Sequence, residues 1–264
     1  MTLLGQLPEN LRQALKKKAL LKIIAGLSNF DPNSVEQIAS AAGLGKADLL
    51  DVACDPALVR LSKKASGLPI CVSAVDPDLF PAAIDAGASM IEIGNFDSFY
   101  PKGRFFSAKE VLELAVKTKK IVTDVPLSVT VPHILSLDKQ AQLALELVAI
   151  GVDVIQTEGG TSAKPFSSGV LGCIEKAAPS LAAVHTISDV FSHADCSTPV
   201  LCASGLSAVT LPMAIAVGAS GVGVGSVVNR LKDPLAMVAT IRGLREALAT
   251  VPLEDSVKSH SSII

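Results

Sequence analysis

Two glycine-rich phrases carry the sharpest chemical signal in this chain of 264 residues. Pro199-Val200-Leu201-Cys202-Ala203-Ser204-Gly205-Leu206-Ser207 and Gly221-Val222-Gly223-Val224-Gly225-Ser226 are apolar runs that end in glycine and serine. Glycine lets backbone N–H groups approach an anion with no Cβ in the way. A short helix opening at Ser226-Val227 would add its positive end. Ser204, Gly205, Gly225 and Ser226 are therefore expected to hold a phosphate. The competing reading is that these glycines only permit tight closure of a sheet. Phosphate cups of this kind usually carry two glycines in the first phrase. Here Leu206 stands in place of the second, which predicts a wider or weaker cup.

Carboxylates supply the second signal. Glu92 lies in Met90-Ile91-Glu92-Ile93-Gly94-Asn95, Asp124 in Ile121-Val122-Thr123-Asp124-Val125, and Glu158 closes Val152–Glu158. An ionised carboxylate in an apolar strand is costly unless it is paired or functional. Three such acids on adjacent strands would push their pKa values apart and divide the roles of acid and base. The alternative is a structural network with Lys22, Lys164 or Arg104. Lys22 stands so early in its run that it is expected at the lower rim. Lys164 follows the turn Gly159-Gly160-Thr161-Ser162-Ala163 and could close over a ligand bound at Gly159 and Gly160. No lysine stands where a Schiff base would form on the sixth strand, which argues against a covalent aldolase.

Aromatic residues are scarce, eight Phe and one Tyr, yet five of the nine fall within Phe96–Phe106. Lys102, Gly103 and Arg104 are interleaved with them. Such a loop reads either as a pocket wall, with Asn95, Tyr100 and Arg104 touching the ligand, or as an oligomer contact. His133, in Val131-Pro132-His133-Ile134, is a candidate proton shuttle with no partner fixed by sequence. The five cysteines and four histidines form no CxxC, HxxxH or HExxH spacing, so no metal site is expected. The cysteines read as small buried hydrophobes of a reducing compartment.

These residues need a scaffold. Short runs of Val, Ile and Ala, apolar throughout, alternate with helical patterns, as parallel strands covered on both faces do. There are nine such runs: Leu21–Leu27, Leu49–Cys54, Pro69–Val75, Met90–Asn95, Ile121–Pro126, Val152–Glu158, Leu181–Ile187, Pro199–Ser204 and Gly221–Gly225. The seventh is demoted, because Leu181, Val184, Ile187 and Phe191 recur at helical spacing. Eight strands remain, predicting a single α/β domain, a (β/α)8 TIM barrel over 21–253. A helical extension precedes it over 1–20, and a polar, mobile tail follows over 254–264. Asp55-Pro56, Asp76-Pro77 and Asp233-Pro234 mark helix starts, Ser107 to Glu110 has capping-box spacing, and Gly87, Gly151 and Gly218 mark helix ends. In such barrels the site lies where strands end and their following loops begin.

Composition narrows the function classes. Hydrophobic residues make up 49% and charged residues 18%, which rules out wholesale disorder. The net charge of −2 argues against nucleic acid as a partner, since phosphate neutralisation needs clustered excess cation. No long uninterrupted apolar stretch predicts a membrane span, and the first ten residues lack a secretory pattern. A cytoplasmic homo-oligomer that binds a small phosphorylated ligand is the expectation.

The span from about Leu20 to Pro252 resembles the barrel family of cyanobacteria and algal plastids called hypothetical chloroplast reading frame twenty-three. The phrases that carry the likeness are Gly94–Tyr100, Gln156–Ser162, Cys202–Ser207 and Gly221–Ser226. The resemblance implies the barrel fold and, in algal relatives, a place in the plastid stroma; it brings no reaction with it. More remotely, the cup and the acid on strand four are similar to ribulose-phosphate-binding barrels. Gln156-Thr157-Glu158-Gly159-Gly160 is similar to flavin-dependent nitronate monooxygenases, with Thr161 where a histidine usually follows. Three functional readings result. One is a cofactor-independent lyase or isomerase working through Glu92, Asp124 and Glu158. The second is a flavin mononucleotide (FMN) oxidoreductase. The third is a binding or regulatory barrel without catalysis.

Overall fold

The computed structural model describes residues 2–160 and 162–250. The expected tail over 254–264 and the position of Thr161 fall outside them. Helix α1 (Glu9–Lys16) leads into β1 (Leu20–Gly26), α2 (Pro32–Leu44), β2 (Leu49–Ala53), α3 (Pro56–Ser66) and β3 (Ile70–Ala74). Then come α4 (Phe80–Asp85), β4 (Met90–Ile93), α5 (Ala108–Ile121), β5 (Leu127–Thr130), α6 (Leu137–Ala149) and β6 (Val154–Gln156). The last third holds α7 (Gly169–His193), β7 (Val200–Ala203), α8 (Leu211–Ala216), β8 (Gly221–Val224), α9 (Ser226–Asn229) and α10 (Pro234–Ala249). Every strand pairs in parallel with the next, and β1 pairs with β8, so the barrel closes in sequence order.

Local chemistry explains the punctuation. Asp55 and Asp233 accept hydrogen bonds from the first-turn N–H groups of α3 and α10, each with proline at the first helical position. Ser107 caps α5 through the Glu110 N–H. Gly87, Gly151 and Gly218 have φ of 106°, 90° and 114°, the left-handed backbone that ends a helix before the next strand. The run Leu181–Ile187 lies inside α7, as its helical spacing predicts.

Strand alternation sorts the core into two bodies. Leu21, Ile23, Leu50, Val52, Ile70, Val72, Ile91, Ile93, Val129, Ile155 and Val222 point outward and join the helices in one large apolar cluster. The inward set is layered. At the lower end Leu20, Leu49, Cys71, Met90, Val154 and Leu201 meet Leu7, Leu11 and Leu15 of the N-terminal segment, so α1 seals the barrel from below. Above that floor the inward positions turn polar.

Two sequence placements are corrected. Ile121 ends α5, and β5 begins at Leu127, after Pro126. Pro126 has no N–H for a ladder bond and so marks the strand's beginning, not its end. Asp124 therefore lies in the exposed turn below β5, at the face opposite the strand C-termini. Lys22 does not sit at a lower rim; it is 0% exposed in the middle of the lumen.

Candidate functional site

The polar layer is an ion-pair network. Lys22 on β1 places Nζ 2.6 Å from Glu92 Oε2 and 2.9 Å from Asp51 Oδ2, and donates to Gln156 Oε1 at 3.1 Å. Ser73 donates to Asp51 at 2.7 Å. Gln156 Nε2 donates to Glu92 Oε1 at 2.7 Å, so all but a little of each carboxylate's hydrogen-bonding capacity is used. Burial pulls the Lys22 pKa down, but the charges of Asp51 and Glu92 overcompensate and hold it above the ordinary lysine value. Two carboxylates within ion-pair distance thus favour the charged form of Lys22 over the free amine a nucleophile needs.

A second cluster crowns the mouth, built from the loops after β4, β5 and β6. Asn95, with φ of 59°, turns the chain out of β4 and donates through Nδ2 to Glu92 Oε1 at 3.2 Å. Two residues on, the Asp97 N–H donates to Glu158 Oε2 at 3.1 Å. His133 Nδ1 lies 3.3 Å from both Asp97 Oδ1 and Glu158 Oε1. The Tyr100 hydroxyl donates to Glu158 Oε1 at 2.5 Å. The Ser204 hydroxyl, at the end of β7, donates to Asp97 Oδ2 at 3.0 Å.

Electrostatics here favour shared protons. Burial pushes the Glu158 pKa up and the Asp97 charge adds to this, against the pull of His133 and Tyr100. For His133 burial works downward, but the hydrogen bond to Glu158 and the charges of Asp97 and Glu158 win and raise it. Burial first, and then the Glu158 charge, raise Tyr100, which stays a hydroxyl donor. A buried carboxylate drawn upward beside an imidazole drawn upward is an arrangement suited to passing a proton.

A cavity of about 310 Å³ opens beside this cluster. Asn95, Asp97 and Glu158 line one side. Ser204, Gly205, Gly225, Ser226, Asn229 and Arg230 line the other, with Ile24, Ala203 and Gly223 as its floor. Ser204 and Gly205 both have φ of 75°, so the chain turns sharply at the end of β7. Asn229 Nδ2 donates to Ile24 O at 2.9 Å and ties α9 across to β1. Among the described residues Arg230 makes no ion pair.

The predicted residues divide. Glu158, Asn95, Ser204, Gly205, Gly225 and Ser226 all line the cavity, and Tyr100 and His133 touch Glu158 from behind. Glu92 lies one layer down and belongs to the Lys22 network that the sequence offered as the alternative. Gly159 and Gly160 do not line the cavity. A Cβ on Gly160 would sit 2.1 Å from the Gly205 Cα, and one on Gly159 would meet Pro179 and His133. Their smallness lets the β6 loop pack against the β7 loop. Arg104 is exposed, pairs with Glu110 and lies over the Phe106 ring, 4.1 Å from its centroid. Lys164 is exposed and is not part of the lining. Leu206 is buried in the apolar core and is also among the residues that line the cavity. Of the aromatic loop, Phe96 and Phe106 are core residues with centroids 4.5 Å apart, and Tyr100 alone reaches the acids. Sequence reasoning missed Asp97 and Arg230. Asp97 stands in the quoted phrase Gly94–Tyr100 but outside any strand, and Arg230 follows the short helix that opens at Ser226.

The fold and its mouth define a (β/α)8 barrel, closed below, with a polar lumen and a cavity at the strand C-termini. The chain belongs to the DUF561 family, described as a protein of unknown function, whose model matches residues 7–253. Among its relatives is the uncharacterized protein ycf23 of Cyanophora paradoxa, 41% identical over 225 residues, 85% of this chain and 90% of that one. The ycf23 protein of Porphyra purpurea is 36% identical over 234 residues, 89% of this chain and 86% of its own length. Similar solved structures include 3-hexulose-6-phosphate synthase, with TM-score 0.61 and 18% identity over 86% of this chain and 99% of that one. Another is (S)-3-O-geranylgeranylglyceryl phosphate synthase from Thermoplasma acidophilum in complex with sn-glycerol-1-phosphate, with TM-score 0.60 and 14% identity over 90% of this chain and 97% of that one. At such identities the likeness is one of fold. Among the described residues no helix is long and apolar enough to cross a membrane.

Proposed function

We propose that this protein binds a small phosphorylated metabolite at the barrel mouth and acts on it as a lyase or isomerase by proton transfer. One observation carries this reading: a single cavity joins the glycine-lined turn at Gly205, Gly225 and Ser226, with Arg230 beside it, to the buried carboxylates of Asp97 and Glu158. Backbone N–H groups, and a guanidinium that makes no ion pair among the described residues, suit a phosphate dianion. Ser204 and Ser226 add hydroxyls. On the opposite side Glu158 is the proton carrier, with His133 and Tyr100 sharing its charge. Glu92 is a positioning residue that holds Asn95 from the layer below. The fold neighbours whose names include phosphorylated compounds agree with this assignment.

The cavity volume favours a small metabolite over FMN, since about 310 Å³ lies at the lower end of ligand pockets. The test is native mass spectrometry of gently purified protein, comparing wild type with Arg230→Gln. A retained phosphorylated small molecule, reduced or lost in the variant, is the expected result. A retained flavin, or a phosphorylated ligand held equally by Arg230→Gln, would overturn the assignment.

A further inference from the structure

We infer that the ligand is a phosphate ester whose other end presents hydrogen-bond donors, hydroxyl or ammonium, and carries no carboxylate. This rests on the proposed phosphate corner and adds what the facing wall selects. That wall carries two carboxylates and, among the described residues, no lysine or arginine. Asp97 and Glu158 are 7% and 3% exposed, and both line the cavity. Among the described residues the imidazole beside them is that of His133, which faces both and can offset one charge at most. The next cation below, Lys22, is already committed to Asp51 and Glu92. Arg230, the remaining lining cation, stands on the phosphate side after Gly225 and Ser226.

Asp97 is the selecting group. Its Oδ2 accepts from Ser204, which belongs to the phosphate corner, so one hydroxyl fixes the spacing between the two walls. Its Oδ1 faces His133 and accepts from the Ser162 hydroxyl, each at 3.3 Å. A ligand long enough to leave the corner therefore meets a carboxylate held in place. Like charges brought together in a partly desolvated site repel, while a hydroxyl or ammonium there gains a charge-assisted hydrogen bond.

The experiment is isothermal titration of the full chain at neutral pH with four probes: inorganic phosphate, glycerol phosphate, 2-aminoethyl phosphate and 3-phosphoglycerate. Glycerol phosphate or 2-aminoethyl phosphate should bind at least about tenfold more tightly than 3-phosphoglycerate, the difference expected of one repelled charge. Asp97→Asn and Glu158→Gln should each narrow that gap, and retained affinity for inorganic phosphate would show that the corner is intact. The preferred arm separates polyol from amine chemistry. If 3-phosphoglycerate binds as well as glycerol phosphate and 2-aminoethyl phosphate, or Asp97→Asn leaves the ranking unchanged, this inference fails while the phosphate reading stands. If none of the four binds, the phosphate reading itself fails.

Discussion

Replacing Lys22 by methionine isolates what the lumenal network contributes. The substitution keeps the bulk of the side chain and removes the one cation that, among the described residues, pairs with Asp51 and Glu92, which are 1% and 0% exposed. Breaking a buried ion pair by removing one partner costs about 3–5 kcal/mol. For a chain of this size each kcal/mol lowers Tm by about 2–4 °C, so Lys22→Met should melt about 6–20 °C below wild type near neutral pH. The penalty has a pH signature. Burial already pushes the Glu92 pKa up against the opposing Lys22 charge, and without that charge it rises further. The folded variant then binds more protons than the unfolded chain. Its stability is greatest below the unfolded glutamate value of about 4.3 and is lost as pH rises toward the folded value. Wild type loses stability in the same direction, as pH rises, but at the alkaline end. The raised Lys22 pKa gives stability that is complete below about 10.4 and is lost only above it. Calorimetric melts of both proteins from acid to alkaline pH measure both effects. The neutral triple variant Lys22→Met, Asp51→Asn, Glu92→Gln should recover most of the loss, since an apolar or neutral substitute for a whole buried network is often well tolerated. A Lys22→Met protein that melts with wild type at neutral pH, or whose deficit does not shrink on acidification, would refute the reasoning.

Leu11→Ala should destabilise by about 2–5 kcal/mol in urea titrations, because a fully buried side chain in the barrel floor leaves a cavity that its lumenal neighbours cannot fill. Gly160→Ala forces a methyl group to within 2.1 Å of the Gly205 Cα. Overpacking of this kind should cost about 1–3 kcal/mol, and displacement of Gly205 should weaken phosphate binding in the same titration series. Glu158→Gln removes a hydrogen-bond acceptor and a charge that hold the His133 pKa up, so the His133 ring resonances should titrate at lower pH in the variant than in wild type. An unchanged midpoint would mean that Asp97 alone sets it.

The barrel was legible because its outward faces and its helices are written in separate periods. Leu181, Val184, Ile187 and Phe191 recur as a helix does, and they separate a helix from a ninth strand. The fifth strand was not legible. Its inward residues Ser128 and Thr130 dilute its hydropathy, whereas the end of α5 at Ile121-Val122 looks like the start of a strand. That one displacement carried Asp124 to the wrong end of the barrel. The lumen had a readable signal that apolar content hides. Lys22, Asp51, Ser73, Glu92, Thr130 and Gln156 are each a polar residue within a short strand, flanked by apolar neighbours. Sequence marked Glu158 as a strand-end acid, but it could not join Glu158 to Asp97, His133 and Ser204, since those contacts link four loops and span up to 107 residues of separation. Arg230 left no local signal at all; only the turn of α9 brings it beside Gly225.

The stopper formed by α1 also dictates traffic. With the lower neck corked by Leu7, Leu11 and Leu15, and the Lys22 salt layer above the cork, the barrel is a cul-de-sac. Whatever enters must back out along the same route. A cleavage that splits a ligand in two would therefore impose a queue, the piece nearest the opening departing before the piece lodged behind it.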